Sequence, residues 1–241
     1  MKNRISIIVA MLAEAEYIIQ TLKMNRYKSD IDPDLSIEVF NTETTLSSIF
    51  LLINGKSKRY NVDRVATQAA TLTAWETIRI LEPNIIINAG TAGGFHSMNA
   101  KIGEIYISKP PIYYHDRRIP LPNFEEYGFG SFPCLDIPEL HNKYGFKQGH
   151  ISSGNSLDMS DTDLNIIKKN GAIIKDMEAA AIAEVAEIKS IPFIAIKVIS
   201  DFVDVSDKDT PDQFLSNFSR ATEKLCEGTL KLVNYFSTEF P

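Results

Sequence analysis

The sequence predicts an α/β fold in which helices cover both faces of a mixed or largely parallel sheet. Short apolar runs alternate along the chain with segments of helical period, the order typical of such a sheet. The most informative run, residues 84–95, joins three isoleucines to Gly90, Gly93 and Gly94. It predicts a strand buried on both faces, followed by a tight glycine turn. Since open α/β sheets bind ligands where strands end, this turn is the first candidate site.

A tight turn without a ligand is the alternative interpretation of this glycine segment. Its spacing differs from the G-x-G-x-x-G fingerprint of dinucleotide-binding proteins, so the sequence does not indicate NAD.

The composition is that of an ordinary globular protein. No Pro/Gly/Ser-rich linker divides the 241 residues, which predicts a single domain over residues 1–241. A formal charge of −6 offers no general attraction for nucleic acid or for an anionic membrane. We therefore expect small, mostly neutral partners.

The cysteines and the amino terminus bear on the compartment. Cys134 and Cys226 have no metal-like spacing and are expected to be reduced thiols in the cytoplasm, with a disulfide between them as the alternative. Residues 1–15 resemble a signal peptide in their basic start and apolar run, but a first strand entering a helix explains them better. No segment reaches the roughly 18 apolar residues of a membrane span.

The first half of the chain alternates strands with two helices. Ile18, Ile19 and Leu22 give the first helix its apolar face, and a similar stripe of helical period marks the second, which Pro83 ends. The predicted strands cover residues 5–9, 36–40, 46–53 and the isoleucines from 85. The predicted helices cover residues 13–24 and 61–81.

The second half begins with an irregular region and then returns to alternating elements. A Tyr- and Pro-rich stretch predicts an ordered loop over 113–122, and glycines and prolines extend the irregular region to 138. Predicted strands are 102–108, 147–152, 172–175 and 193–199, the last interrupted at Lys197. Predicted helices are 139–144, 161–169, the Ala-rich segment 177–189, and 210–236.

Acidic residues follow or end three of these strands. Glu14 follows the first strand, Glu178 opens the Ala-rich helix, and Asp201 ends the last apolar strand. If the strands share one sheet edge, the three carboxylates meet beside the glycine turn. Taken singly, the two glutamates are explained as helix-start charges and Asp201 as a cap or turn residue.

Four segments in this order resemble the 5′-methylthioadenosine/S-adenosylhomocysteine nucleosidases of the purine nucleoside phosphorylase superfamily. They are residues 10–15 (Ala-Met-Leu-Ala-Glu-Ala), 88–95 (Asn-Ala-Gly-Thr-Ala-Gly-Gly-Phe), 175–179 (Lys-Asp-Met-Glu-Ala) and 200–201 (Ser-Asp). Two further segments resemble the plant-type branch: residues 115–120 (His-Asp-Arg-Arg-Ile-Pro) and 154–159 (Gly-Asn-Ser-Leu-Asp-Met). The resemblance runs from the first strand to the last helix.

The resemblance implies a single-domain, three-layer α/β/α sandwich with a mixed central sheet. It also implies a homodimer with the 115–124 loop near the partner's site, and hydrolysis of the bond between adenine and a 5′-thio-substituted ribose. No metal or organic cofactor is implied, and the four histidines have no metal spacing.

The resemblance assigns roles to particular positions. Asp201 would protonate N7 of the adenine, Glu14 would hold and deprotonate the attacking water, and Glu178 with Met177 would bind the ribose hydroxyls. A poor leaving group such as adenine requires such a proton donor. The remaining implied substrate-binding positions are Thr91, Gly93, Leu157, Lys175, Asp176 and Lys197.

Two positions differ from the common bacterial pattern, and three other functions stay open. Thr91 and Lys197 stand where that pattern has serine and arginine, so the choice between methylthioadenosine and S-adenosylhomocysteine is open.

A phosphorylase of the same fold would need a phosphate site, for which the basic run within residues 56–64 is the candidate. A hydrolase of futalosine-type nucleosides needs the same acids, whereas a storage protein does not need them. The basic run comprises Lys56, Lys58, Arg59 and Arg64.

Overall fold

The computed structural model describes residues 2–205 and 210–239. In this part of the chain, eleven strands form one mixed sheet. The strands are β1 Asn3–Val9, β2 Asn25–Arg26, β3 Glu38–Glu43, β4 Ser47–Ile53, β5 Ile85–Gly94, β6 Ile105–Ser108, β7 Tyr113–Tyr114, β8 Lys147–Gly149, β9 Ile151–Ser153, β10 Ile174–Asp176 and β11 Phe193–Phe202. The helices are α1 Leu12–Thr21, α2 Ala66–Leu81, α3 Glu125–Phe129, α4 Glu139–Tyr144, α5 Asp161–Lys169, α6 Ala179–Ile188 and α7 Thr210–Thr238. Met1 and residues 206–209 and 240–241, which the predicted domain includes, lie outside the described residues.

Strand β5 lies at the centre of the sheet. It pairs in parallel with β1 on one side and with β11 on the other, and β1 pairs in parallel with β4. The carboxyl ends of these strands therefore lie at one edge of the sheet. The antiparallel strand β10 joins the same edge, since Lys175 pairs with Gly93.

Helices cover both faces of the sheet. Ile7 of β1 packs in a cluster with apolar residues of α1 and α7, while the next residue, Ile8, packs in a second cluster with residues of α2 and α6. Successive side chains of a strand point to opposite faces, so the unbroken apolar run of β1 serves both clusters. The three-layer α/β/α arrangement predicted from the sequence is confirmed.

The predicted glycine turn is wrong, because the glycines belong to the strand. β5 continues through Gly90, Gly93 and Gly94, which pair with β11 and, at the last two positions, with β10. The glycines are required by close packing: a β-carbon at Gly94 would lie 2.8 Å from a methyl of Ile199 and 2.9 Å from the β-carbon of Ala100.

The predicted interruption of the last strand at Lys197 is also wrong. β11 is continuous through Lys197, whose side chain is buried and paired with Asp176. The strand instead has an irregular register between Ile199 and Asp201. A lysine breaks an apolar pattern without breaking the strand when a buried carboxylate balances its charge.

Other differences concern element boundaries and short elements. β2, α3 and β7, which opens the predicted loop 113–122, were not predicted, and the predicted strand 147–152 is two strands, β8 and β9. α2 begins at Ala66, later than predicted, while α4 and α5 have the predicted bounds. α6 begins only at Ala179, because a carboxylate oxygen of Asp176 accepts the backbone N–H groups of Glu178 and Ala179 and so caps the helix.

The structure also bears on the membrane and thiol expectations. Within residues 2–205 and 210–239, every helix is too short or too polar to cross a bilayer. Cys134 and Cys226 are both free, so the alternative of a disulfide between them is not realised.

The first residue of α2 has an unusual backbone conformation. Ala66 has a φ of 72°, in the left-handed region that glycine adopts without steric cost. We predict that Ala66→Gly leaves the free energy of unfolding unchanged or raises it by up to about 1 kcal/mol. Ala70→Gly, in the interior of the same helix, is expected to lower it by about 1 kcal/mol or more. Urea unfolding of both variants checks this, and an equal loss in both would contradict it.

Candidate active site

A cavity of about 240 Å³ lies at the edge of the sheet where β1, β5 and β11 end. Nine of the ten predicted site residues line it, and the tenth, Lys197, does not. The nine are Glu14, Thr91, Gly93, Leu157, Lys175, Asp176, Met177, Glu178 and Asp201. The structure therefore brings Glu14, Glu178 and Asp201 to one cavity, although they are far apart in sequence.

Glu14 stands in the first turn of α1 and is 3% exposed. One of its carboxylate oxygens, Oε1, accepts the Thr91 backbone N–H at 2.7 Å and the Thr91 hydroxyl at 2.7 Å. The other oxygen, Oε2, accepts the Met11 N–H at 3.4 Å. Burial raises the pKa of Glu14, although the Thr91 hydrogen bonds and the charge of Lys197 oppose the rise.

Asp201 lies near the end of β11 and is 3% exposed. Its Oδ1 accepts the hydroxyl of Ser200 at 2.7 Å. Burial raises the pKa of Asp201, while the Ser200 hydrogen bond and the charge of Lys175 lower it less. A carboxyl group of this kind holds a proton at a higher pH than an exposed aspartate does.

Gly93 leaves space beside Asp201. A β-carbon at Gly93 would lie 2.3 Å from Cγ1 of Val203 and 3.1 Å from Oδ2 of Asp201. Any side chain here would displace Val203 or fill the space in front of the carboxyl group. The glycine thus keeps Asp201 accessible from the cavity.

Glu178 is the residue directly before α6, and its carboxylate turns towards the start of α2. Oε1 of Glu178 accepts the Ala66 backbone N–H at 2.8 Å. Burial raises the pKa of Glu178 to about 7, helped by the negative charge of Asp176 and opposed by the charge of Lys197. This group therefore holds a proton at a higher pH than an exposed glutamate does.

Lys197 and Asp176 form a buried ion pair with a distance of 2.7 Å between Nζ and Oδ2. Burial lowers the pKa of Lys197, but the charges of Asp176 and Glu178 outweigh burial and raise it above its ordinary value. A β-carbon at Gly90 would lie 3.3 Å from Lys197 Nζ and 3.6 Å from Oε1 of Glu14. The cation therefore lies among the acids and supports them rather than lining the cavity.

Lys175 fixes the loop that carries Leu157. Its ammonium group donates to the backbone carbonyls of Ser156 at 2.7 Å and of Leu157 at 2.9 Å. Burial lowers the pKa of Lys175, although nearby carboxylates, above all Asp201, oppose this. The loop between β9 and α5 is thereby held against the cavity.

Sequence reasoning missed most of the apolar lining. The structure adds Ala10, Met11, Val65, Ala92, Ser200, Val203 and Phe214 to the cavity wall. Met11 and Val203 stand within three residues of predicted acids, and this proximity was the available signal. No local pattern distinguishes Val65 or Phe214, which come from the starts of distant helices.

Two other kinds of site were considered from the sequence, a phosphate site at the basic run of residues 56–64 and a metal site. Within the described parts of the chain, the basic run does not contribute to the cavity lining, since Lys58 pairs with Asp34 at 2.8 Å and Arg64 donates to the carbonyl of Leu35. Among the described residues, no group of three or more His, Cys, Asp or Glu side chains is arranged to hold a metal ion.

The arrangement suits acid–base chemistry on a neutral molecule. Three carboxyl groups with raised pKa values surround one small, mostly apolar space. Each of the three accepts hydrogen bonds from a different residue, so each has its own environment. Carboxyl groups tuned in this way can donate a proton, accept one, or stabilise a developing positive charge.

Because the pKa of Glu178 is raised, we predict that its contribution to the free energy of unfolding falls as pH rises. A carboxyl group with a pKa of about 7 in the folded state and the ordinary value of 4.5 in the unfolded chain binds more protons in the folded state between those pH values. Its contribution is therefore lost as pH rises through that window. Buried His115, with a pKa lowered to about 4, acts in the opposite direction.

The test must therefore compare two proteins rather than two pH values alone. Glu178→Gln cannot ionise, so its free energy of unfolding should fall less between pH 5 and pH 7.5 than that of the wild type. Urea unfolding at a series of pH values measures the difference. Parallel curves for the two proteins would show that Glu178 titrates as it does in the unfolded chain.

Comparison with known proteins gives consistent matches over most of the chain. The family model of the phosphorylase superfamily matches residues 4–234. A 5′-methylthioadenosine/S-adenosylhomocysteine nucleosidase of Arabidopsis thaliana is 36% identical over 236 residues, which cover 98% of this chain and 92% of that protein. A 5′-methylthioadenosine nucleosidase of the same plant is 41% identical over 184 residues, covering 76% of this chain and 68% of that protein. A crystal structure of an MTA/SAH nucleosidase aligns with a TM-score of 0.95 at 35% identity, covering 99% of this chain and 97% of that one.

Proposed function

Because the chain belongs to the 5′-methylthioadenosine/S-adenosylhomocysteine nucleosidases of the phosphorylase superfamily, we propose that it hydrolyses the N-glycosidic bond of 5′-methylthioadenosine. The products are adenine and 5-methylthioribose, and S-adenosylhomocysteine is the second candidate substrate. The observation that carries the proposal is that Glu14, Glu178 and Asp201 line one cavity.

Asp201 is the acid in this proposal. Adenine leaves poorly as an anion, so a proton delivered to N7 makes it a neutral leaving group. The burial that raises the pKa of Asp201 supports this role, because a more basic carboxyl group holds its proton nearer to neutral pH. The space beside Gly93 accommodates the purine against Oδ2 of Asp201.

Glu14 positions and deprotonates the attacking water. Thr91 holds Oε1 of Glu14 through two hydrogen bonds, which leaves Oε2 with the longer contact to Met11 as the oxygen that can take up the water proton. A carboxylate with a raised pKa is the stronger base. Thr91 donates one of these bonds from its backbone and the other from its hydroxyl, a group that the serine of the bacterial pattern would also supply.

Glu178 and Met177 bind the ribose. As the glycosidic bond breaks, the sugar takes on oxocarbenium character, and nearby carboxylates stabilise the positive charge. Met177 supplies an apolar contact beside Glu178. Glu178 accepts ribose hydroxyls with the oxygen that does not bind Ala66.

The other implied positions support these groups. Leu157 provides an apolar wall, and Lys175 fixes its loop through two carbonyl contacts. Asp176 and Lys197 form a buried ion pair, and the positive charge of Lys197 also partly compensates the negative charges of Glu14 and Glu178.

The proposal extends to assembly and cellular role. We propose one nucleosidase domain, supported by a single sheet that takes strands from residue 3 to residue 202. A homodimer with the 115–124 loop near the partner's site is supported by exposed Leu121, Phe124 and Trp75, which a second copy would cover. Free cysteines support a cytoplasmic location, and the proposed products place the enzyme in methionine salvage.

One assay tests the reaction. The protein is incubated with 5′-methylthioadenosine, with and without phosphate, and adenine is followed by chromatography. Adenine and 5-methylthioribose without phosphate are expected. Adenine release only with phosphate would identify a phosphorylase, and no release from this nucleoside would overturn the proposal. The same assay with S-adenosylhomocysteine determines whether it is a substrate.

A further inference from the structure

Two segments that the sequence singled out, residues 115–120 and 154–159, are joined by hydrogen bonds beside the cavity. Oδ2 of Asp116 accepts the backbone N–H of Asn155 at 2.6 Å and its side-chain Nδ2 at 2.9 Å. An ionised aspartate only accepts hydrogen bonds, so the amide of Asn155 must turn its NH₂ towards Asp116. Its carbonyl oxygen then points the other way.

That carbonyl oxygen meets the first turn of α2. Oδ1 of Asn155 accepts the Thr67 backbone N–H at 3.2 Å and the Thr67 hydroxyl at 2.6 Å. Val65, which precedes α2, has no side-chain acceptor for these N–H groups. Asn155 therefore caps α2 from a distant loop, as an N-cap residue of the helix itself would do.

The neighbouring N–H group of the same turn belongs to Ala66, and it donates to Oε1 of Glu178 at 2.8 Å. Two consecutive N–H groups of α2 are thus held by Asn155 and by Glu178. Between them Ala66 has a φ of 72°, a strained value for a residue with a β-carbon. Such strain persists where the surrounding contacts fix the backbone.

We propose that Asp116 and Asn155 are positioning residues that fix the start of α2 and, through the Ala66 N–H, aim the carboxylate of Glu178 into the cavity. This inference rests on the proposed role of Glu178 in binding ribose. It assigns a purpose to residues 115–120, which otherwise have no part in the reaction, and to Asn155, two residues before the cavity-lining Leu157. Neither Asp116 nor Asn155 lines the cavity, so each acts through α2.

The orientation of the Asn155 amide gives the sharpest test. Asn155→Asp keeps an oxygen for Thr67 but places a carboxylate against that of Asp116. This repulsion should move the loop or the start of α2 and lower kcat/KM by about tenfold. The rise in KM should be the larger part, because the ribose contact exists before the bond breaks.

A second change should reverse the loss. Asp116→Asn alone keeps an oxygen for the Asn155 N–H groups, so we expect kcat/KM within about threefold of the wild type. In the double variant Asp116→Asn/Asn155→Asp, the new amide at position 116 can donate to the new carboxylate at position 155. We therefore expect kcat/KM to recover most of the tenfold loss. Asn165→Asp, the same change at an exposed position of α5, is the control and should match the wild type.

Hydrogen exchange provides a readout that does not depend on turnover. Amides at the start of α2 should exchange faster in Asn155→Asp than in the wild type, and the double variant should reverse this. If kcat/KM of Asn155→Asp equals that of Asn165→Asp, or if the double variant shows no recovery, the positioning role is overturned. Failure of the wild type to release adenine would instead overturn the proposed function, while the exchange data would still test the link from Asn155 to α2.

Discussion

Asp201→Asn should lower kcat for adenine release by about 10³-fold, within the range that general acid catalysis supplies. Asparagine keeps the size of the side chain and an oxygen that accepts the Ser200 hydroxyl, so the local structure should be retained. It has no proton to give to the purine at any accessible pH. Steady-state kinetics with 5′-methylthioadenosine measure the loss, and circular dichroism checks the fold.

The substrate and a nearby residue provide the controls for Asp201. Asp204→Asn is the same chemical change three residues later, at a side chain that accepts the backbone N–H groups of His96 and Ser97 outside the cavity. It should leave kcat close to the wild type. A nucleoside with a better leaving group than adenine should lose less with Asp201→Asn, because it needs less protonation. Wild-type turnover by Asp201→Asn would refute the assignment of the acid.

The sequence predicted the architecture because the strong signals in this chain are local. The isoleucine runs of β1 and β5 and the Ala-rich α6 are recognisable from burial pattern alone, and each predicted acid adjoins such an element. Since parallel strands bring their carboxyl ends together, the meeting of Glu14 with Asp201 followed from the order of elements. Glu178 reaches the same cavity after β10, which is antiparallel to β5, so this rule does not account for the third acid.

The features that were missed depend on contacts across the sheet. The glycines of β5 suggested a turn, but they reflect the close approach of neighbours such as Val203 and Ile199. Lys197 suggested a break in β11 because its partner, Asp176, is distant in sequence. Phe214 reaches the cavity from α7 without any local signal. Such pairings become visible only when the strands are placed side by side.

Glu14→Gln should also lower kcat by about 10³-fold, but for a different reason from Asp201→Asn. Glutamine keeps an oxygen for the two Thr91 donors, yet its amide nitrogen cannot take a proton from water and faces the N–H of Met11. The adenine and ribose contacts assigned to other residues are unchanged. Substrate binding, measured by calorimetry or fluorescence, should therefore stay close to that of the wild type.

A matched variant on the same helix separates this effect from a change in α1. Glu16→Gln alters an exposed glutamate two residues further along and should have wild-type kcat. Because burial raises the pKa of Glu14, removing its charge stabilises the folded state, which offsets the lost hydrogen bond from the Met11 N–H. A variant that binds the nucleoside, stays folded and fails to turn it over identifies Glu14 as the group that activates water. Equal losses of binding and turnover would show instead that Glu14 holds the substrate.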